Sequence, residues 1–221
     1  MILLTGFEPF GGDSSNPSWA AVLVAQEVLR AEGHEVEALE LPCVFGESAA
    51  VLREAVGRLR PELVICAGLA AGRDRLSLER VAINVDDARI PDNAGNQPID
   101  EPVIPAGPAA YFSTLPVKSA LRALQIAGIR AEVSQTAGTY VCNHVFYALM
   151  HELSNAEGAA GARGGFIHVP YDEAHLPQGS AAPAVAARAM SVRDMGEGIA
   201  VVVRTALATS VDAKLSAGAV H

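Results

Sequence analysis

Residues 35–67, EVEALELPCVFGESAAVLREAVGRLRPELVICA, read in turn as a strand, a helix and a second strand. Residues 35–41 alternate apolar with polar side chains, the period-two pattern of a half-buried strand. Residues 48–59 read as helix, and residues 62–67 are a short apolar run of the kind seen in strands covered on both faces. Outward toward the start, residues 2–5 make another short apolar strand, followed by the turn-rich loop GFEPFGGDSSNPSW. Asn16 is placed to cap the next helix, Pro17 suits its first position, and Ala20, Val24, Val28 and Leu29 give it one apolar face. Gly33 should end it. The opening is therefore β-α-β-α-β. That alternation predicts a largely parallel sheet with helices on both faces, and ligands bound beyond the carboxyl ends of the strands.

Further along, residues 131–151, AEVSQTAGTYVCNHVFYALMH, repeat the theme as a strand, a tight turn at Gly138 and a helix with Val145, Leu149 and Leu153 at helical spacing. Cys142 stands at the join. Unpaired N–H groups and the positive end of the helix dipole at such a place favour an anion, so the expectation is a thiol of lowered pKa, suited to nucleophilic attack. A free cysteine is also often a small buried hydrophobe. Position alone does not choose between the two.

Composition narrows the classes. The chain has 221 residues, enough for one domain with a substantial core. Half of its residues are hydrophobic and 19% are charged, which excludes a disordered tail protein. The net charge of −9, with no run rich in Lys or Arg, argues against nucleic acid or an anionic membrane as partner. The opening MILLTGFEPFGG lacks the basic and long apolar regions of a secretion signal, and no apolar stretch approaches a bilayer-spanning length, so a cytoplasmic protein is expected. Three cysteines, Cys43, Cys66 and Cys142, form no CxxC pair and predict free thiols rather than disulfides or a zinc site.

The remaining motifs leave several readings open. GFEPFGG matches neither the dinucleotide nor the P-loop glycine pattern, and Phe7 and Phe10 within it serve either as a flat apolar pocket wall or as core. Residues 76–85 read as one strand or hairpin arm, in which Glu79 is either a solvated outward carboxylate or the partner of a base. After them comes a long stretch rich in Pro, Gly, Asp and Asn, of the kind that carries function or mediates assembly. Its aspartates do not follow the EF-hand spacing, and no metal is assigned. His144 and His151 share a helix face but have no third ligand at a recognisable spacing. Residues 158–165 read as a surface loop and residues 165–169 as a strand, with His168 near its end, where catalytic groups of α/β sheets gather. Residues 192–207 form a last helix. One domain over residues 1–210 and a frayed tail over 211–221 are expected.

In this order, TGFEPFGGDSSNPSW, ERVAINVDDARIPDNAGNQP, GPAAYFSTLP, SQTAGTYVCNHVFYALMH and GFIHVPY resemble the pyroglutamyl peptidase I family, also called pyrrolidone-carboxylate peptidases. The likeness spans nearly the whole chain. It implies a three-layer α/β/α sandwich with a mostly parallel central sheet, assembly as a homotetramer, no cofactor, and removal of an N-terminal pyroglutamyl residue from peptides by a cysteine peptidase. It implies that Cys142 is the nucleophile, His168 the base and Glu79 the acid of the triad. By the same resemblance, Arg89 stands near the oxyanion site, Phe7 and Phe10 contact the pyroglutamyl ring, and Ile90, Tyr140 and Val141 match other pocket positions. Two positions depart from the family's usual pattern: Ala71, where a second glycine is common, and Tyr140, where phenylalanine is common.

Overall fold

The computed structural model describes residues 1–155, 161–173, 176 and 188–218. In chain order its elements are β1 (Ile2–Phe7), α1 (Pro17–Ala31), β2 (Val36–Leu41), α2 (Glu47–Leu59), β3 (Leu63–Leu69), β4 (Leu76–Glu79), β5 (Val81–Ile83), β6 (Ala110–Phe112), α3 (Val117–Ile126), β7 (Ala131–Ser134), α4 (Val141–Asn155), β8 (Arg163–Val169) and α5 (Val192–Ala208). The main sheet has six strands in the order β2-β1-β3-β8-β4-β7, and β5 pairs with β6 in a small separate ribbon. Strands β2, β1, β3 and β8 are mutually parallel, whereas β4 meets β8 antiparallel and carries β7 with it in its own direction. The expected three-layer, mostly parallel architecture is thus present, with one reversal in the middle of the sheet.

Alternation along the strands divides the core between the two faces. Ile2 and Leu4 of β1 and Ile65 and Ala67 of β3 pack with Ala21, Val22 and Leu29 of α1, Leu124 of α3 and Ile199 of α5. Their neighbours Leu3, Val64 and Cys66 turn the other way, onto Leu52 and Val56 of α2 and Val145 and Phe146 of α4. Because α1 and α2 lie on opposite faces while β2 and β3 flank β1, the chain reverses its winding at β1. A crevice opens at such a point beyond the carboxyl ends of the strands.

Local signals worked as read where a side chain serves its own helix. Asn16 Oδ1 accepts from the Ser18 N–H at 3.0 Å, and the Ser18 hydroxyl accepts from the Phe7 N–H at 3.1 Å, so the cap also fixes the end of β1. Two expectations are corrected. Residues 76–85 are two strands, because the chain leaves the main sheet at Arg80, whose N–H donates to Ser134 and whose carbonyl accepts from Ser113. Arg163 and Gly164 belong to β8 rather than to the loop, ahead of Gly165, where the sequence reads as strand. A Cβ on Gly164 would strike Leu153 of α4 and one on Gly165 would strike Ser113 and Leu115, so bare backbone lets these elements close on the strand. Residues 158–160 of that expected loop lie outside the described residues.

Beyond α5, residues 209–218 form no helix or strand. Asp212 reaches back to α3, whose N-terminus has only Pro116 at its cap and no side-chain bond of its own. The Asp212 carboxylate accepts from the Lys118 and Ser119 N–H groups at 3.0 and 2.8 Å and from the Ser119 hydroxyl at 2.8 Å. Partial burial opposes its charge, but these bonds prevail and hold the carboxyl below its ordinary pKa. Asp212→Asn is therefore expected to lose about 1 kcal/mol of stability at neutral pH. With the folded-state pKa depressed, the wild type's advantage is present above about pH 4 and disappears as the pH falls through the folded value. Urea midpoints of the two proteins at pH 7 and under acid check both parts. No helix among the described residues is long and apolar enough to cross a membrane.

Candidate active site

At the crevice, a cavity of about 290 Å³ is lined by Phe7 at the end of β1, Phe10 and Asn16 beyond it, Cys43 after β2, Leu69 at the end of β3 and Ala70 beyond it, Arg73, residues 136–138, Tyr140, Cys142 and His168. Both readings of Phe7 hold: its ring is buried in the core and one side faces the cavity. Phe10 and Tyr140, with ring centroids 6.1 Å apart, extend the apolar wall.

Cys142 is the second residue of α4. The start of this helix is locked by Asn143, fully buried, whose Oδ1 accepts from the Ile83 N–H while its Nδ2 donates to the carbonyls of Ile83 and Val85. The next residue, buried His144, presents Nδ1 to Asp86 at 2.7 Å and accepts from the Gly46 N–H through Nε2. Accepting at Nε2 places the proton on Nδ1, so the ring donates to the Asp86 carboxylate. His144 thus pins the helix to the loop after β2. His151 pairs with the Tyr111 hydroxyl instead, and the two histidines do not share a site.

The sulfur of Cys142 rests over Gly68, where a Cβ would come within 2.7 Å of Sγ and 2.8 Å of the Phe166 ring. Gly68 lies directly beside His168 in the parallel register of β3 and β8, with Ser77 of β4 on the other side. Among the described residues no hydrogen bond joins Sγ to His168; both line the same cavity. Burial pushes the Cys142 thiol up, with Cys43 and Glu79 adding to the effect and Arg73 opposing it. The expectation of a lowered pKa is corrected accordingly: desolvation of the sulfur works against the anion that the helix terminus favours. Cys43 and Cys66, both buried, are pushed up to about 12 by desolvation.

Glu79 is no outward carboxylate. It is wholly buried, and its Oε1 lies 2.7 Å from His168 Nδ1. The same oxygen accepts from Arg73 Nη1 at 2.6 Å, which identifies it as a carboxylate oxygen receiving two donors. His168 Nδ1 therefore carries the proton, leaving Nε2 as a basic lone pair. Arg73 also donates through Nη2 to the carbonyl of Thr136 in the turn before α4.

The other expected pocket residues divide. Tyr140 lines the cavity and donates its hydroxyl to the carbonyl of Pro91 at 3.1 Å. Val141 is fully buried among the core side chains around α4. Arg89 and Ile90 are exposed and lie outside the cavity lining, and it is Arg73 that supplies the guanidinium there. Sequence reasoning passed over Arg73, Gly68 and Asn143. A signal for Arg73 existed, since a glutamate that partners a base away from water demands a cation, but nothing along the chain says which one.

A thiol at a helix start, sharing a cavity with a histidine whose far nitrogen is held by a buried carboxylate, is the arrangement of a cysteine hydrolase. The pyroglutamyl peptidase family model matches residues 1–209. The chain belongs to that family of cysteine peptidases. It is 52% identical to the pyrrolidone-carboxylate peptidase of Escherichia fergusonii over 220 residues, covering 100% of this chain and 99% of that one. Identity to the pyrrolidone-carboxylate peptidase of Streptomyces coelicolor is 52% over 223 residues, with the same coverage. The crystal structure of pyroglutamyl peptidase I from Bacillus amyloliquefaciens superposes with a TM-score of 0.88 at 41% identity, covering 97% of this chain and 98% of the other.

Proposed function

We propose that the protein hydrolyses the amide bond after an N-terminal pyroglutamyl residue of peptides, with Cys142 as nucleophile, His168 as general base and acid, and Glu79 orienting His168. The observation that carries this reading is the buried Glu79–His168 hydrogen bond of 2.7 Å beside the cavity that holds Cys142. With burial holding the sulfur as a thiol, His168 Nε2 takes its proton as Sγ attacks the pyroglutamyl carbonyl carbon. The negative charge of Glu79 stabilises the imidazolium that results. The tetrahedral oxyanion is stabilised by the Cys142 N–H, which lies in the first helical turn and has no partner within the helix, a contribution of the order of 3 kcal/mol. The imidazolium then gives its proton to the leaving amine as the C–N bond breaks, leaving a thioester. Water, deprotonated by His168, attacks the thioester; the C–S bond breaks and the sulfur regains its proton.

The substrate lactam is flat and uncharged, and the rings of Phe7, Phe10 and Tyr140 offer it apolar walls. Arg89 enters the reading only through the family resemblance, since it is exposed and away from the cavity lining. We place the protein in the cytoplasm as a homo-oligomer, a tetramer by resemblance. The three cysteines are free, and Ile99 and Phe112, each 70% exposed, offer apolar contacts from the long stretch after β5 and its return strand.

Hydrolysis of a pyroglutamyl reporter amide tests the reading. Wild type should cleave it and leave unblocked aminoacyl amides intact, and Cys142→Ala should be inactive. Turnover in Cys142→Ala removes the nucleophile assignment, and equal cleavage of unblocked amides removes the substrate assignment.

A further inference from the structure

We propose that Arg73 is a positioning residue of the hydrolytic site: its guanidinium, bonded both to Glu79 and to the turn before Cys142, keeps Glu79 aimed at His168 as a carboxylate and sets the pH range in which Cys142 and His168 work. The inference rests on the roles given above to those three residues.

Glu79 is 0% exposed, and its second oxygen, Oε2, has no hydrogen-bond partner among the described residues. A carboxylate so placed must be neutralised by a neighbouring cation or by a proton. Two groups reach its Oε1, Arg73 at 2.6 Å and His168 at 2.7 Å. If His168 supplied the positive charge it would do so as imidazolium, with no lone pair left to take a proton from the thiol. Arg73, which stays charged throughout the working pH range, supplies it instead and leaves His168 neutral. Its other nitrogen, 2.9 Å from the Thr136 carbonyl, ties the same guanidinium to the segment that leads into Cys142. One side chain thus joins β4, the turn before α4 and, through the shared oxygen, β8.

Among the described residues, the groups facing this guanidinium are Glu79 from β4, His168 from β8 and Cys142 from α4, with Cys43, Cys66 and Tyr140 around the thiol. Asp74 is engaged by Arg75, and Arg188 donates to the Gly72 carbonyl. Arg73 also favours the thiolate of Cys142, where burial and Glu79 oppose it. Loss of the positive charge removes what favours the Cys142 thiolate and leaves the Glu79 carboxylate, bonded to His168, without its cation. Whichever of thiol and imidazole governs a given limb of the pH–rate profile, that limb moves to higher pH.

The experiment compares wild type, Arg73→Met, Arg73→Lys and Cys142→Ala, full-length and checked for fold by circular dichroism. Its readouts are kcat/KM on the pyroglutamyl reporter amide and the rate of Cys142 alkylation by iodoacetamide, both against pH. Arg73→Met should displace the profile and the alkylation curve upward by about one to three pH units. Arg73→Lys, which keeps the charge but not the two-pronged reach, should lose rate with its limbs held within about half a unit. If Arg73→Met does not fold, Arg73→Gln carries the same measurement with an amide able to meet Thr136. A folded, charge-free variant whose limbs stay in place while Cys142→Ala is inactive overturns the role of Arg73 alone. Activity in Cys142→Ala overturns instead the site reading beneath it.

Discussion

His168→Ala should fall close to the inactive Cys142→Ala variant, because it removes both the base for the thiol and the acid for the leaving amine. Glu79→Gln should retain measurable turnover, reduced by about 10²- to 10³-fold. In a serine triad the corresponding loss of the carboxylate's charge costs about 10⁴ in kcat, and a thiol is the more reactive nucleophile. The direction of the accompanying pH shift follows from the charges. Without the charge of Glu79, no other carboxylate among the described residues is bonded to His168 to support an imidazolium, and the guanidinium 2.6 Å from the shared oxygen is left facing it. The histidine limb should therefore move to lower pH, opposite to the shift expected when Arg73 is neutralised. A pH–rate profile of each folded variant checks this. A Glu79→Gln enzyme with wild-type rate and profile would show that the 2.7 Å contact with His168 takes no part in the reaction.

Gly68→Ala carries the other large effect. The added methyl would stand 2.7 Å from Sγ of Cys142 and 2.8 Å from the Phe166 ring, closer than such atoms approach. Phe166 is fully buried and packed against Phe7 and Phe146, so it cannot easily yield. The sulfur must then rotate away or the first turn of α4 must move, although Asn143 and His144 hold that turn to β5 and the loop after β2. Misplacement of a reacting atom by about 1 Å can cost on the order of 10²-fold, and that is the expected loss in kcat/KM. Overpacking should add a destabilisation of about 1–3 kcal/mol, read as a lowered urea midpoint. Wild-type turnover in this variant would mean that the sulfur works from a different place than over Gly68.

The sequence by itself determined the layered α/β architecture, because the period of the apolar residues is a local property: alternation over residues 35–41, helical spacing along α1 and α4, and a cap at Asn16 act within a few residues of themselves. It also put Cys142 at a helix start and His168 near a strand's end, and the order of its motifs carried the family. It could not choose between a solvated and a buried Glu79, since the same Leu-Glu-Arg-Val run fits a strand with either exposure. That choice was made when β4 was set antiparallel beside β8, bringing the carboxylate under His168. Nor could it show that burial raises the thiol which the helix start favours as an anion, because desolvation is exerted by residues distant in the chain. The reach of Asp212 to α3, of Asp86 to His144 and of Arg73 to Glu79 and Thr136 belongs to the same class. Arg73 is only six residues from Glu79, yet its partner Thr136 is 63 away. Nothing in the spacing of charges distinguishes that arginine from the exposed Arg89; only the closure of the loops over the sheet placed one guanidinium at the cavity and left the other facing water.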